Sequence, residues 1–331
     1  MKEILILGGT QFVGRHLSES LLAESKLQVT LFHRGRTHPQ LFPEYRHLLG
    51  DRETDSIRQV LRRDWDAVID FSGYYPQSLS ALAQALTGRV GRYLYISSIS
   101  AYDFEQLPED TVWTESGPTL PCTPEQAEDR SMFSYGERKA ACERALLALP
   151  ELNSVVFRPG LIYGPYDPTD RFYYWLWRTR HAETMLVPAD LSVPFQWTYA
   201  LDFAAILRQA LLGEQPKESV YQVLTHAPLA FGEMLTRLEE QAQRTVRRVP
   251  ISPRQMEEHD VKWWQDLPLT TPSPRLFDRS RYQRDFQSPE TPFVATLETT
   301  WRWYAQQGWP TPKTGLDVEQ ERILLSKLGI H

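Results

Sequence analysis

The stretch Ile4-Leu5-Ile6-Leu7-Gly8-Gly9-Thr10-Gln11-Phe12-Val13-Gly14 decides the fold. Four apolar residues read as a buried strand, and the glycines after them open a helical pattern over residues 14–24. Glycine at a strand-to-helix turn lets the backbone bend tightly and approach a pyrophosphate, whose charge a helix N-terminus favours. Downstream, β-type runs at 29–32, 47–49, 67–70, 93–97 and 155–157 alternate with helical patterns at 56–62, 78–86 and 135–149. Such alternation predicts a parallel sheet covered by helices, and right-handed crossovers make a doubly wound α/β sheet the economical topology. Beyond residue 160 the alternation weakens, and eight of the ten tryptophans follow residue 174. The expected organisation is a dinucleotide-binding domain over 1–160 plus returning segments, and a smaller α/β substrate-binding region, mainly 161–331. Helices are expected in the latter near 201–212, 231–244 and 292–307, with a Pro-rich connection over 267–274.

The 331 residues suffice for about two domains of ~150 each. Lys and Arg total 36 against 42 Asp and Glu, a net charge of −6 that argues against nucleic acid as the main partner, because phosphate binding needs a basic field. Hydrophobic residues at 41% and charged residues at 24% are globular values. The longest apolar run, 172–177, falls far short of the ~20 residues that span a bilayer. Met1-Lys2-Glu3 leads straight into the first strand rather than into a signal-type segment, so a soluble, cytoplasmic protein with no membrane partner is expected. Cys122 and Cys142 form no CxxC, and the eight histidines show no HExxH, so neither a disulfide nor a metal site is expected. Residues 103–129 hold four prolines, eight acidic residues and no Lys or Arg, and read as a surface loop.

Around the glycine turn, Gly8, Thr10, Gln11, Phe12, Val13 and Gly14 are the expected cofactor contacts. Asp51, closing the third strand after Gly50, is placed to accept a bond from an adenine amino group. Phe71, Ser72 and Gly73 end the fourth strand beside the nicotinamide ribose. Where a carboxylate after the second strand would bind a ribose 2′-hydroxyl, this chain has His33, Arg34 and Arg36. Cations there attract a 2′-phosphate, so NADP(H) is expected in preference to NAD(H).

Tyr135 and Lys139 stand four residues apart, which on a helix puts them on one face. A free tyrosine, with a pKa of about 10, is a poor base at neutral pH, but a neighbouring ammonium favours the phenolate. The pair suits proton transfer at a substrate oxygen. Tyr95-Ile96-Ser97-Ser98 ends the fifth strand, where a hydroxyl can bond the same oxygen.

Together these segments resemble the extended short-chain dehydrogenase/reductases, the NAD-dependent epimerase/dehydratase family, in a subgroup with a GGTxFxG turn. The resemblance takes in Arg158-Pro159-Gly160-Leu161-Ile162-Tyr163-Gly164-Pro165 and Asp202-Phe203-Ala204, and so covers nearly the whole chain. It implies a Rossmann fold with a small C-terminal substrate domain, Tyr135 as acid/base, Lys139 on the nicotinamide ribose, Ser98 completing the triad with Ser97 as fallback, and Pro159 and Gly160 at the cofactor. Departures are informative too. Gln11 replaces the middle glycine, and Ile99-Ser100 stand where sugar-nucleotide dehydratases carry Asp-Glu, which argues against dehydration. Phe195 and Leu267-Pro268 stand where diphosphate-binding arginines are expected, which argues against a nucleotide-sugar substrate.

The expected chemistry is an NADP(H)-dependent interconversion of secondary alcohol and ketone on a sugar-like or other small hydroxylated substrate. Tyr74, Ser98, Arg171, Gln196 and Trp197 are the candidate substrate contacts. Arg171 either pairs an acidic substrate or bridges Asp167 or Asp170, and the aromatic run 172–177 reads as packing. The same constellation serves redox epimerisation with retained cofactor. A third reading is a non-catalytic relative of chloroplast stem-loop-binding proteins, whose turn is similar. A homodimer through helices flanking the sheet is compatible with apolar residues on more than one face of 135–149.

Overall fold

Ile4, Leu5, Ile6 and Leu7 are all fully buried, and because successive strand residues point to opposite faces, they supply two cores at once. The computed structural model describes residues 1–109, 111–287 and 290–330. It contains a seven-stranded sheet in the order Val220–Val223, Ser154–Pro159, Tyr93–Ile96, Ala67–Asp70, Lys2–Leu7, Leu27–His33, Arg46–Leu49. Every neighbouring pair is parallel. This is the doubly wound α/β fold of Rossmann type that the alternation predicts. The chain runs outward from Lys2–Leu7 through two strands and then returns to its other side at Ala67–Asp70. The carboxyl ends of those two strands therefore flank the topological switch point, where such sheets hold ligands.

On one face, Ile4, Ile6, Leu31, Ile69 and Phe157 pack against the helices Phe12–Leu21 and Ala200–Leu212. On the other, Leu5, Leu7, Val68, Tyr93 and Tyr95 pack against Pro76–Leu86 and Tyr135–Leu147. A third core belongs to the C-terminal half, where Phe172, Tyr173, Tyr174, Trp175 and Leu176 are buried inside the Arg171–His181 helix, the packing role read from the sequence. There Thr184–Pro188 pairs with Arg247–Ile251, and the Phe231–Ala242 and Phe293–Gln306 helices lie within two residues of their expected bounds.

Two expectations need correction. Residues 103–129 are more than a surface loop: Val112–Trp113 pairs in parallel with Leu276–Phe277, and Pro124–Glu128 is a short helix with a Thr123/Gln126 capping box. The buried Trp113 ring, 5.1 Å from Tyr102 and 4.9 Å from Phe104, outweighs the acidic composition. The pattern at 56–62 forms a 3-10 helix, Asp55–Arg62, capped by Thr54, rather than an α-helix. A last helix, Val318–Lys327, has no counterpart in the sequence reading. It docks through the buried Glu321, which accepts a bond from Leu186 N and pairs with Arg178. No helix among the described residues is long and apolar enough to cross a membrane.

The turn after Gly164 joins the two halves. Pro165 O meets His16 Nε2 at 3.0 Å, and the Arg15 guanidinium lies 3.7 Å from the centre of the Tyr166 ring. Next to it Asp167 is fully buried, its Oδ1 accepting bonds from Thr169 N and Oγ1 at 2.8 Å each. Burial pushes its carboxyl up to about 7, against the opposing pull of the Thr169 bonds.

Two outcomes are expected. A Cβ at Gly136 would run into the Ser100 carbonyl oxygen, so Gly136→Ala should lower stability by about 1–3 kcal/mol in denaturant melts, and an unchanged midpoint would remove this packing claim. Asp167 binds its proton more tightly folded than unfolded, so its contribution is fully present below about pH 4 and is lost as pH rises through 7. Asp167→Asn should therefore gain stability relative to wild type as pH rises from 5 to 8. A gap independent of pH counts against the raised pKa.

Candidate active site

The crevice begins at the glycine turn. Gly8 and Gly9 have φ of 109° and 94°, values that side chains resist. A Cβ on Gly14 would sit 3.0 Å from the Cα and N of Gly9, and one on Gly9 would press on Ile6, Leu31 and Ser18. The Phe12–Leu21 helix has no side-chain cap on its first N–H groups and no acidic residue in its first turn. Those free N–H groups and the bare glycine cradle fit a dinucleotide pyrophosphate. Gln11 is the helix N-cap with φ −138°, an ordinary extended conformation, and its side chain is exposed, so replacing glycine there strains nothing.

Around this cradle the expected residues divide. Arg34 and Arg36 are exposed, and the Arg34 charge reaches the Tyr74 phenol. His33 is not free to meet a phosphate, because its Nδ1 accepts from Gly35 N and its Nε2 contacts His47 Nδ1 at 2.8 Å. Burial also lowers its pKa, which disfavours a cationic ring. The Asp51 side chain accepts from Glu53 N. Ser72 and Gly73 follow the buried Asp70, and Phe71 lies against the cradle, its Cβ 3.3 Å from where a Gly8 Cβ would stand. Gly160 N is held by Val223 O and Thr198 Oγ1, beside the buried Pro159.

Sequence reading missed Arg52 and its partner. Arg52 Nη1 donates to both Asp70 carboxylate oxygens, at 2.8 and 2.9 Å, and to Ser72 Oγ at 3.1 Å. Tyr93 OH adds a bond to Asp70. Burial by itself would raise the Asp70 carboxyl, yet Arg52 and Tyr93 hold it below the usual range. The available signal was an Asp closing an otherwise apolar strand, Ala67-Val68-Ile69-Asp70.

Tyr135 opens its helix, and Gly136 lets that helix settle on the Ser98–Ala101 turn. One turn on, Lys139 is buried, with Nζ donating to Gly73 O at 3.0 Å and Ile96 O at 2.8 Å. Burial lowers its pKa to about 8. The Tyr135 ring is partly exposed to the crevice, 6.4 Å from Tyr74 and 5.9 Å from Lys139 Nζ. Enclosure of its hydroxyl pushes the phenol pKa above 10, opposed by a bond with Ser98 and by the Arg171 charge. The phenol is therefore neutral at pH 7 and ready to give a proton.

The two candidate hydroxyls differ in their surroundings. Ser97 is buried and bonded to Glu143, which also binds Arg158 Nε through both carboxylate oxygens at 3.0 Å. Ser98 caps the following turn, its Oγ accepting from Ser100 N, and faces Tyr135. Tyr74 is 45% exposed, and Arg171 is half-buried, its charge reaching the Tyr135 phenol.

Gln196 and Trp197 do not line the crevice. The Gln196 amide bonds the Phe277 backbone in both directions, at 3.2 and 2.7 Å. Trp197 is buried in the C-terminal core, 4.2 Å from Phe195 and 5.2 Å from Phe293, because its strand pairs with Leu161–Tyr163.

Known proteins can now be set beside this geometry. In overall shape the chain is similar to UDP-glucuronic acid 4-epimerase from Bacillus cereus, solved with NAD, at 16% identity and a TM-score of 0.70, over 93% of this chain and 100% of that one. It is similarly close to dTDP-glucose 4,6-dehydratase from Bacillus anthracis, also solved with NAD, at 16% identity and a TM-score of 0.71, over 93% and 98%. In sequence it is 28% identical over 239 residues to the chloroplast stem-loop binding protein of 41 kDa b from Arabidopsis thaliana, 67% of this chain and 58% of that protein's length. The pattern of one family matches residues 4–223, which hold the whole crevice from glycine turn to Tyr135 and Lys139. The chain belongs to the NAD dependent epimerase/dehydratase family.

Proposed function

We propose that this protein is an NADP(H)-dependent oxidoreductase that interconverts a secondary alcohol and a ketone on a small hydroxylated, sugar-like substrate. The observation that carries the reading is the partly exposed Tyr135 ring one helical turn from the buried Lys139, whose Nζ lies 5.9 Å from that ring and is held by Gly73 O and Ile96 O. A bound nicotinamide supplies or accepts the hydride.

The chain's own residues account for the rest. The Gly8–Gly14 cradle and the N-terminus of the helix behind it hold the pyrophosphate. Lys139 has three N–H donors, of which two are committed to Gly73 O and Ile96 O, so one would remain to hold a nicotinamide ribose hydroxyl. In reduction, Tyr135 gives its proton to the oxygen that gains negative charge, while Ser98 holds that oxygen by a hydrogen bond. In oxidation the proton returns to the phenolate, which the nearby ammonium favours. Tyr74 and Arg171 stand on the substrate side, and Arg34 with Arg36 supports the preference for a 2′-phosphate.

Redox epimerisation is the second reading, favoured by the family to which the chain belongs. It uses the same side chains but needs the cofactor to stay bound between two hydride transfers. Nucleic acid as a partner, suggested by the printed name of the chloroplast relative, is opposed by the net charge of −6 and by the intact Tyr135, Lys139 and Ser98 set.

With a panel of ketones and NADPH, Tyr135→Phe should lose about 10²–10⁴-fold in turnover while keeping NADPH affinity within a few-fold of wild type. Normal turnover in that variant removes the assignment. Arg34→Ala should weaken NADPH by about tenfold or more and NADH by much less, as expected for one charge-assisted bond to a phosphate. Equal losses in fluorescence titrations would remove the NADP(H) preference.

A further inference from the structure

We infer that the substrate carries an anionic group, in the simplest case a carboxylate, and that Arg171 binds it on a shelf shared with Trp264. The inference rests on the proposed reading of Tyr135, whose phenol feels the Arg171 charge.

Arg171 opens the Arg171–His181 helix and is half-buried. Most arginines with comparable or greater burial are committed. Arg15 pairs with Glu19, Arg52 with Asp70, Arg158 with Glu143 and Arg178 with Glu321. The Arg171 side chain has neither a hydrogen bond nor an ion pair among the described residues, and its guanidinium carbon lies 5.5 Å from the centre of the Trp264 ring. Trp264 is itself 41% exposed. A guanidinium that rests on an aromatic face spends its π surface and keeps its edge, so the N–H fork stays open to a planar anion.

Two carboxyl groups lie close in sequence, and neither neutralises it. Asp167 turns its Oδ1 to Thr169, and burial keeps much of its population protonated near neutral pH. Asp170 accepts a bond from Lys313 N, away from Arg171. Neither forms an ion pair with Arg171 among the described residues, and the Arg171 charge is felt both at the Asp167 carboxyl and at the Tyr135 phenol. A cation that has no ion-pair partner among the described residues, rests over the exposed Trp264 ring and acts on the proton donor recognises an anion attached to the carbon skeleton that carries the reacting oxygen. One fork matches one carboxylate with two parallel N–H bonds.

The test is calorimetric titration of the full chain, with and without saturating NADPH, using matched acid and neutral probes: D-glucuronate against D-glucuronamide, and 3-hydroxybutyrate against its methyl ester. In at least one pair the acid should bind about tenfold or more tightly, the usual worth of a charge-assisted bidentate contact. Arg171→Ala should erase that advantage and Arg171→Lys recover part of it, with NADPH affinity and the denaturation midpoint unchanged. Equal binding of acid and neutral partner in both pairs overturns the inference, as does an advantage that survives Arg171→Ala. Tyr135→Phe should keep the acid preference, so a failure of the redox reading shows as retained turnover in that variant and is read separately from a failure of anion binding.

Discussion

The buried ammonium of Lys139 is the constraint on which the crevice depends. A cation taken fully out of water is costly unless its donors are satisfied, and Lys139 is satisfied by carbonyl oxygens at the ends of two different strands, Gly73 O beyond Ala67–Asp70 and Ile96 O at the end of Tyr93–Ile96. Those bonds fix the helix that carries Tyr135 against the carboxyl edge of the sheet, and they fix the separation of the two strand ends. The lowered pKa of about 8 is the residual cost of that burial.

Two ion pairs build the floor on either side of this point. Arg52 with Asp70 and Tyr93 closes it at the end of the Ala67–Asp70 strand. Glu143 with Arg158 and Ser97 closes it beneath the proton donor, and Arg158 in turn lies 4.6 Å from the Tyr102 ring centre and donates to Glu115 O. Buried pairs of this kind add little net stability, but removal of one partner leaves a stranded charge, so they hold one arrangement of the strand ends against others. Ser97 is consumed by that floor. Ser98 is consequently the hydroxyl left to the crevice, although the two are adjacent in an apparently interchangeable pair.

Much of this was legible in the sequence. Apolar runs such as Ile4–Leu7 and Ala67–Ile69 can only be interior strands, and glycine, Tyr/Lys spacing and turn chemistry mark the crevice from local signals. What escaped reading depends on contacts between distant segments. Asp70, Arg52 and Glu143 look like ordinary solvated charges until the sheet brings them together. Gln196 and Trp197 follow the expected substrate loop in sequence, but strand pairing with Leu161–Tyr163 turns them into the core. His33 carries the right residue type at the strand end and is then taken by His47, fourteen residues away. The segment 103–129 has the composition of a loop, and Trp113 alone signals that it is pinned.

The turn after Gly164 explains why cofactor and substrate sides form one unit. His16 and Arg15, on the helix whose N-terminus closes the glycine cradle, hold Pro165 and Tyr166, and Trp303 from the Phe293–Gln306 helix packs against the same ring at 5.3 Å. Left-handed φ values of 66° at Tyr166 and 57° at Asp170 are the strain this route requires, and they persist because contacts from two helices and from Lys313 N over-determine the loop. The loop ends at Arg171. Arg171 is thus positioned from the same helix whose N-terminus closes the glycine cradle, and contacts within the chain hold the two sides of the crevice in register.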